Sequence, residues 1–175
     1  MVQERTGAAT LEGRPLTLLG PELKVGDRAP DFRVNKDLLT EVSLADYQGK
    51  IKLISVVPSL DTDVCDAQTR RFNQEAANLD DHVVILNISV DLPFAQSRFC
   101  SIAGIDKVVA LSDYKHRSFG QAYGVLIKEL QLDQRAIFIV DEGDTIRYVE
   151  YLKEMTSHPD YESALTALKE ASGRS

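Results

Sequence analysis

Cys65 ends the stretch Pro58-Ser59-Leu60-Asp61-Thr62-Asp63-Val64-Cys65, and that placement makes its thiol a candidate nucleophile. The apolar, β-branched run Ile51 to Val57 precedes it and a long helical pattern follows. The spacing therefore puts Cys65 in the first turn of a helix at the end of a strand. A thiol there feels the positive end of the helix dipole and unpaired N–H groups, and both favour thiolate. Lowering a thiol pKa from ~8.5 to ~6 takes about 3.4 kcal/mol and raises the thiolate fraction at pH 7 from ~3% to ~90%. Taken alone, Cys65 also reads as a buried structural cysteine. Pro58 could merely end the strand, and Thr62 or Asp61 could merely cap the helix. Together, at a strand-to-helix junction, they suit nucleophilic thiol chemistry. A proline ring can wall off a pocket, and a hydroxyl about one turn from the sulfur can exchange hydrogen bonds with an oxygen.

Pro58, Thr62 and Cys65 match P-x-x-x-T-x-x-C, the pattern of the peroxiredoxins. Over nearly its whole length the chain resembles one subgroup, the thiol peroxidases (atypical two-cysteine peroxiredoxins). The runs that carry this are Val25-Gly26-Asp27-Arg28-Ala29-Pro30-Asp31-Phe32, Cys65-Asp66-Ala67-Gln68-Thr69-Arg70-Arg71-Phe72-Asn73 and Asp91-Leu92-Pro93-Phe94-Ala95-Gln96. Ser118-Phe119-Gly120, Tyr123-Gly124-Val125 and Arg135-Ala136-Ile137-Phe138 continue it. The chain departs from the family at Asp63, where a small residue is more usual, and at Asp133-Gln134, where apolar residues are. Carboxylates near the site would oppose thiolate formation. The resemblance implies reduction of hydrogen peroxide and alkyl hydroperoxides, with thioredoxin as reductant, and a homodimer. No metal, flavin or haem cofactor is implied.

Cys100 lies 35 residues after Cys65 on a second predicted helix, Pro93 to Ala103. The apolar stripe there reads Ala95, Phe99, Ile102 and Ala103, which sets Cys100 at its edge. Edge placement leaves an inert role open. The resemblance implies the resolving cysteine: Cys65 becomes a sulfenic acid, Cys100 condenses with it to a disulfide, and an external dithiol restores both. Arg135 opens the apolar strand Ala136 to Val140. On its own it reads first as a surface arginine paired with Asp133 or Glu129. The resemblance implies the active-site arginine, whose fixed charge would stabilise a thiolate and donate to peroxide oxygens. Arg70, Arg71 and Arg98 are rival sources of charge, with Arg70 and Arg71 poorly spaced from Cys65 on a helix.

Composition sets limits. The 175 residues suit one domain with a sizeable core. A net charge of −7 argues against nucleic acid or an anionic membrane as a main partner. There is no 18-residue apolar run, and Met1 to Gly20 lacks the apolar core of a signal peptide, so a cytoplasmic location is expected. Two cysteines are too few for a disulfide scaffold and too far apart for a zinc ribbon or C-x-x-C pair. His82, His116 and His158 show no ligand spacing.

Around the candidate residues the pattern alternates. Val2 to Leu19 reads as a hairpin outside the main fold, broken at Gly7 and Glu12-Gly13. Residues 1–20 are thus expected as an extension and 21–175 as the main domain. Strands are expected at Ile51 to Val57, Val83 to Val90 and Lys107 to Leu111, and helices at Thr62 to Leu79 and Pro93 to Ala103. His116 to Tyr123 reads as a helical turn or two. Ala136 to Val140 and Ile146 to Leu152 form a hairpin through Glu142-Gly143-Asp144, and Asp160 to Ala171 is a closing helix. Cys65, Phe72, Ala76 and Leu79 share one helix face, which turns the sulfur toward the sheet. The order describes an α/β, thioredoxin-like fold with an N-terminal β-hairpin extension. Two other functions stay open: a one-cysteine peroxidase with Cys100 structural, and a redox sensor or binding module of the same fold.

Overall fold

The computed structural model describes residues 2–79 and 81–173, so Met1, at the start of the expected extension, and Ser175, at the end of the expected main domain, lie outside the described residues. A mixed sheet of seven strands forms the centre. In spatial order these are β10 (Ile146–Tyr151), β9 (Ala136–Val140), β5 (Ile51–Val56), β6 (Val83–Ser89), β7 (Val109–Ser112), β3 (Arg33–Asn35) and β4 (Glu41–Ser43). Strands β5, β6 and β7 run parallel, whereas β9 is antiparallel to β5 and β10 to β9. Every residue of β5 and β9 is buried, as their near-continuous apolar sequences require for strands covered on both faces.

Helices cover the two faces. Helices α1 (Asp63–Ala76), α2 (Pro93–Ala103) and α4 (Tyr161–Ala171) lie on one, where Phe72, Leu165 and Leu168 pack on Ile51, Leu53, Ile85, Ile137 and Ile139. On the other, Phe32, Phe119 and Tyr123 pack on Ile54, Val56, Leu86, Ile88 and Phe138, with α3 (Ser118–Ala122) supplying Phe119. Side chains alternate between faces along each strand, so Leu53 and Ile54 serve opposite layers. This is the thioredoxin-like α/β arrangement.

The N-terminal hairpin, β1 (Glu4–Leu11) and β2 (Arg14–Leu19), joins a short β8 (Leu126–Ile127) in a separate three-stranded sheet. Thr10 N also donates to Lys153 O and Met155 N to Thr10 O, at 2.6 and 2.8 Å. The hairpin is therefore stitched to the segment that follows β10. Strands β3, β4 and β8, of two or three residues, carry too little alternation to be read from sequence. In the β9–β10 turn it is Asp144, at φ +63°, that adopts the left-handed conformation, while Asp141 Oδ1 accepts from Gly143 N and Thr145 N.

Candidate active site around Cys65

Sheet register builds the site. Val56 of β5 pairs with Ala136 of β9, so Arg135 emerges beside the loop that carries the chain from β5 into α1. Pro58 is buried in that loop. Asp91 fixes the loop: its Oδ1 accepts from Ser59 Oγ and its Oδ2 from Leu60 N, both at 2.8 Å. Oδ2 also accepts from Ser89 Oγ at 2.8 Å. One carboxylate thus ties the β5–α1 loop to the end of β6.

Thr62 is the N-cap of α1, with Cys65 N donating to its hydroxyl at 3.4 Å and the hydroxyl donating to Ser59 O at 3.2 Å. The capping function read from sequence is present, and the exposed Thr62 side chain lies at the mouth of the loop. Cys65 falls three residues into the helix with no exposed surface, packed against Val57, Leu60 and Phe99. Arg135, only 2% exposed, donates from Nη2 to Cys65 Sγ at 3.2 Å. It pairs with neither Asp133 nor Glu129. Its remaining donors go to Gln68 Oε1 from Nη1 at 2.9 Å, and to Met155 O from Nε at 3.1 Å and Nη2 at 2.9 Å. The guanidinium thus brings a fixed positive charge and a hydrogen-bond donor to the sulfur.

The rival arginines are engaged elsewhere. Arg70 pairs with Asp66 and lies over the Phe99 ring, and Arg71 pairs with Glu75 and Glu162. Arg98 lines a groove of about 660 Å³ between α1 and α2, together with Leu60, Phe94, Phe99 and Ile102. Of the two unusual acids, Asp63 is exposed in the first turn of α1 and Asp133 is buried against Gly120.

Cys100 differs from its expected setting. The buried face of α2 is Pro93 and Gln96, continued by half-buried Phe99, Cys100 and Ala103, whereas Ala95 is exposed and Ile102 is 76% exposed. Cys100 therefore sits within the packed face. Gln96 claims that face because its amide donates to Ser89 Oγ and Leu111 O, at 3.1 and 2.8 Å. Both cysteines are free thiols, and Phe99 packs against each of their clusters. Burial pushes the Cys100 thiol up from its ordinary value. Among the described residues no group of three or more His, Cys, Asp or Glu is placed to hold a metal.

Sequence reasoning missed Gln68, Asp91 as a clamp, and the Met155 carbonyl. Gln68 and Asp91 stand in the runs that carry the resemblance, but nothing in their residue types marks their partners. A backbone carbonyl leaves no signal at all.

Comparison with known proteins decides the family. The Redoxin family model matches residues 24–165. The chain belongs to that family. A thiol peroxidase of Halalkalibacterium halodurans (strain C-125) is 57% identical over 162 residues, 93% of this chain and 97% of that one. The thiol peroxidase of Bacillus subtilis (strain 168) is also 57% identical, over 91% of this chain and 95% of that one. A solved peroxiredoxin-like protein from Aquifex aeolicus superposes with a TM-score of 0.87 at 39% identity, covering 97% of this chain and 98% of that one. The chain is a peroxiredoxin of the thiol peroxidase group, and its activity is that of a thiol-dependent peroxidase.

Proposed function

We propose that this peroxidase reduces hydrogen peroxide and alkyl hydroperoxides at Cys65, resolves the oxidised sulfur with Cys100, and is recycled by thioredoxin. The observation that carries this reading is the 3.2 Å approach of Arg135 Nη2 to a fully buried Cys65 Sγ. The Cys65 thiolate attacks one peroxide oxygen; an S–O bond forms, the O–O bond breaks, and the leaving oxygen takes a proton to depart as water or alcohol. Arg135 supports the thiolate and donates to the peroxide oxygens. The Thr62 hydroxyl, now shared between Cys65 N and Ser59 O, turns to the bound oxidant, and Pro58 walls the pocket. Cys100 sulfur then attacks the sulfenic sulfur, forming S–S and releasing water. Thioredoxin reduces that disulfide and becomes oxidised itself. A homodimer in the cytoplasm is the expected setting; among the described residues no helix is long and apolar enough to cross a membrane.

One observation favours a second reading, in which Cys100 is structural: its thiol is half-buried in an apolar cluster separate from that of Cys65. An intramolecular disulfide found by mass spectrometry after one equivalent of peroxide excludes it. The main test is peroxide consumption with thioredoxin and its reductase. Cys65→Ser should abolish turnover, since a hydroxyl cannot replace the thiolate at neutral pH; retained turnover would overturn the assignment. Arg135→Met should slow oxidation of Cys65 in a single turnover.

A further inference from the structure

Asp113 and Asp133 face each other beneath Gly120, 1% and 0% exposed respectively. Asp113 follows β7 and accepts from Phe119 N at 3.1 Å and Gly120 N at 2.8 Å, where α3 begins. Asp133 lies two residues before Arg135, on a segment pinned to the strand before it. It bridges to Leu126, and the next residue donates from Gln134 N to Val125 O at 2.7 Å. A Cβ at Gly120 would fall 2.2 Å from Asp133 Oδ1 and 3.2 Å from Asp113 Oδ2. Only glycine lets the two carboxyls converge there.

As carboxylates the pair is unworkable. Neither Asp133 oxygen then has a hydrogen-bond partner, although both are fully buried. A buried acceptor left unpaired is costly, and two like charges in one dry site more so. A proton on Asp133 removes the like-charge clash and gives one of its two oxygens a partner, by supplying a donor to Asp113. Burial and the facing Asp113 hold the Asp133 carboxyl well above the usual carboxylate range, and burial raises Asp113 too. The other charge acting on the pair is Arg117, whose Nη1 is committed to Asp113 O and Tyr114 O. The Leu126 side chain from β8 and the Phe119 and Gly120 N–H groups from α3, none of them titratable, also border the Asp113–Asp133 contact.

We propose that Asp133 is a positioning residue for Arg135, acting through one proton shared with Asp113 that holds residues 132–135 against α3. This rests on the reading that Arg135 activates Cys65. With one proton the pair carries a single negative charge and joins the two segments. When that proton leaves to solvent hydroxide at alkaline pH, two carboxylates remain and push apart. The segment shifts, and Arg135 loses its alignment with both Cys65 and Gln68. The peroxidase thereby acquires an alkaline limit set away from the sulfur.

The test reads the rate of Cys65 oxidation by hydrogen peroxide in single-turnover stopped flow from pH 7 to 10, for wild type, Asp133→Asn and Arg135→Met. Asparagine keeps the shape and a donor but cannot titrate. Wild type should lose about ten-fold at the alkaline end, within what slight misplacement of a positioning group costs, and Asp133→Asn should lose under about two-fold. Identical alkaline limbs in those two proteins, with Arg135→Met slow throughout, would sink the proposal and leave the Arg135 reading standing. Arg135→Met oxidised as fast as wild type would sink both. A second measurement needs no variant: carboxyl resonances of 13C-aspartate-labelled wild type should show one protonated aspartic acid at pH 7 that titrates together with the rate. Its absence would overturn the shared proton.

Discussion

Gln68 Oε1 accepts from Arg135 Nη1 at 2.9 Å, so a residue one turn beyond Cys65 on α1 holds the guanidinium that reaches the sulfur. The same amide donates from Nε2 to Ser55 Oγ at 2.7 Å. Strand β5, helix α1 and the start of β9 are thereby joined within one buried network, and the orientation of Arg135 is set by three elements at once.

Gln68→Ala should loosen that orientation. A buried guanidinium donor left unpaired costs about 1–3 kcal/mol, to be read from denaturant unfolding. Single-turnover oxidation of Cys65 should slow about ten-fold through misplacement of Arg135. An unchanged oxidation rate would mean the Met155 carbonyl alone suffices.

Cys100→Ser should separate the two halves of the cycle. The first oxidation of Cys65 should proceed at the wild-type rate, because Cys100 contributes nothing to the Arg135 contact. Turnover with thioredoxin should fall to a few per cent or less, and intact mass should reveal sulfinic acid accumulating at Cys65 under excess peroxide. Normal thioredoxin-linked cycling in this variant would show that Cys100 is not the resolver.

Disulfide formation should require local opening. A bridge needs Cα atoms roughly 4.4–6.8 Å apart. The two thiols lie in separate clusters with Phe99 packed against both. Oxidation should therefore unwind the first turn of α1, loosen α2, or both, and Phe99 must leave its seat. Hydrogen exchange on reduced and oxidised protein should differ across residues 60–68 and 94–103. Equal protection would imply that the sulfurs already lie within bonding reach.

Acid should weaken the support of Arg135 through Glu154. Its Oε1 accepts from Gly13 N and Thr10 Oγ1, both at 2.9 Å, and its Oε2 accepts from Thr156 N at 3.0 Å. Gly13 N first, then Thr156 N, hold the carboxyl down to about 2 from an ordinary 4.5. A carboxylate lowered on folding contributes stability that is fully present above its ordinary value and lost as pH falls through the lowered one. The loss should therefore fall between about pH 4.5 and 2. Glu154→Gln should flatten that part of the stability profile; an unaltered acid limb would remove Glu154 from the account.

Long, strongly patterned elements were legible in the sequence. Helix α2 spans the predicted residues, β9 and β10 follow the predicted hairpin to within one residue, and Cys65 sits in the first turn of α1 on its inward face. The inward face of α2 was misjudged because hydropathy counts Gln96 as surface and Ile102 as core, while hydrogen bonds to Ser89 and Leu111 bury the glutamine instead. The partner of Arg135 was illegible for a related reason. Gln68 and Arg135 lie 67 residues apart, and only the pairing of β5 with β9 brings them together. Nearby acids offered a local partner for Arg135, and the fold chose a distant amide.

Met155 holds Arg135 with its carbonyl while its own N–H reaches back to Thr10. Both bonds belong to the main chain, and neither asks anything of the side chain beyond packing on the cluster of Ala9, Leu16, Leu18 and Ile127. Drift at position 155 is therefore cheap in residue identity and dear in length. Any hydrophobe of similar bulk keeps the guanidinium in place, whereas one residue inserted or deleted between the end of β10 and Met155 would carry the carbonyl away from it. A region that looks expendable in an aligned set of sequences can thus be intolerant of gaps while freely permitting substitution.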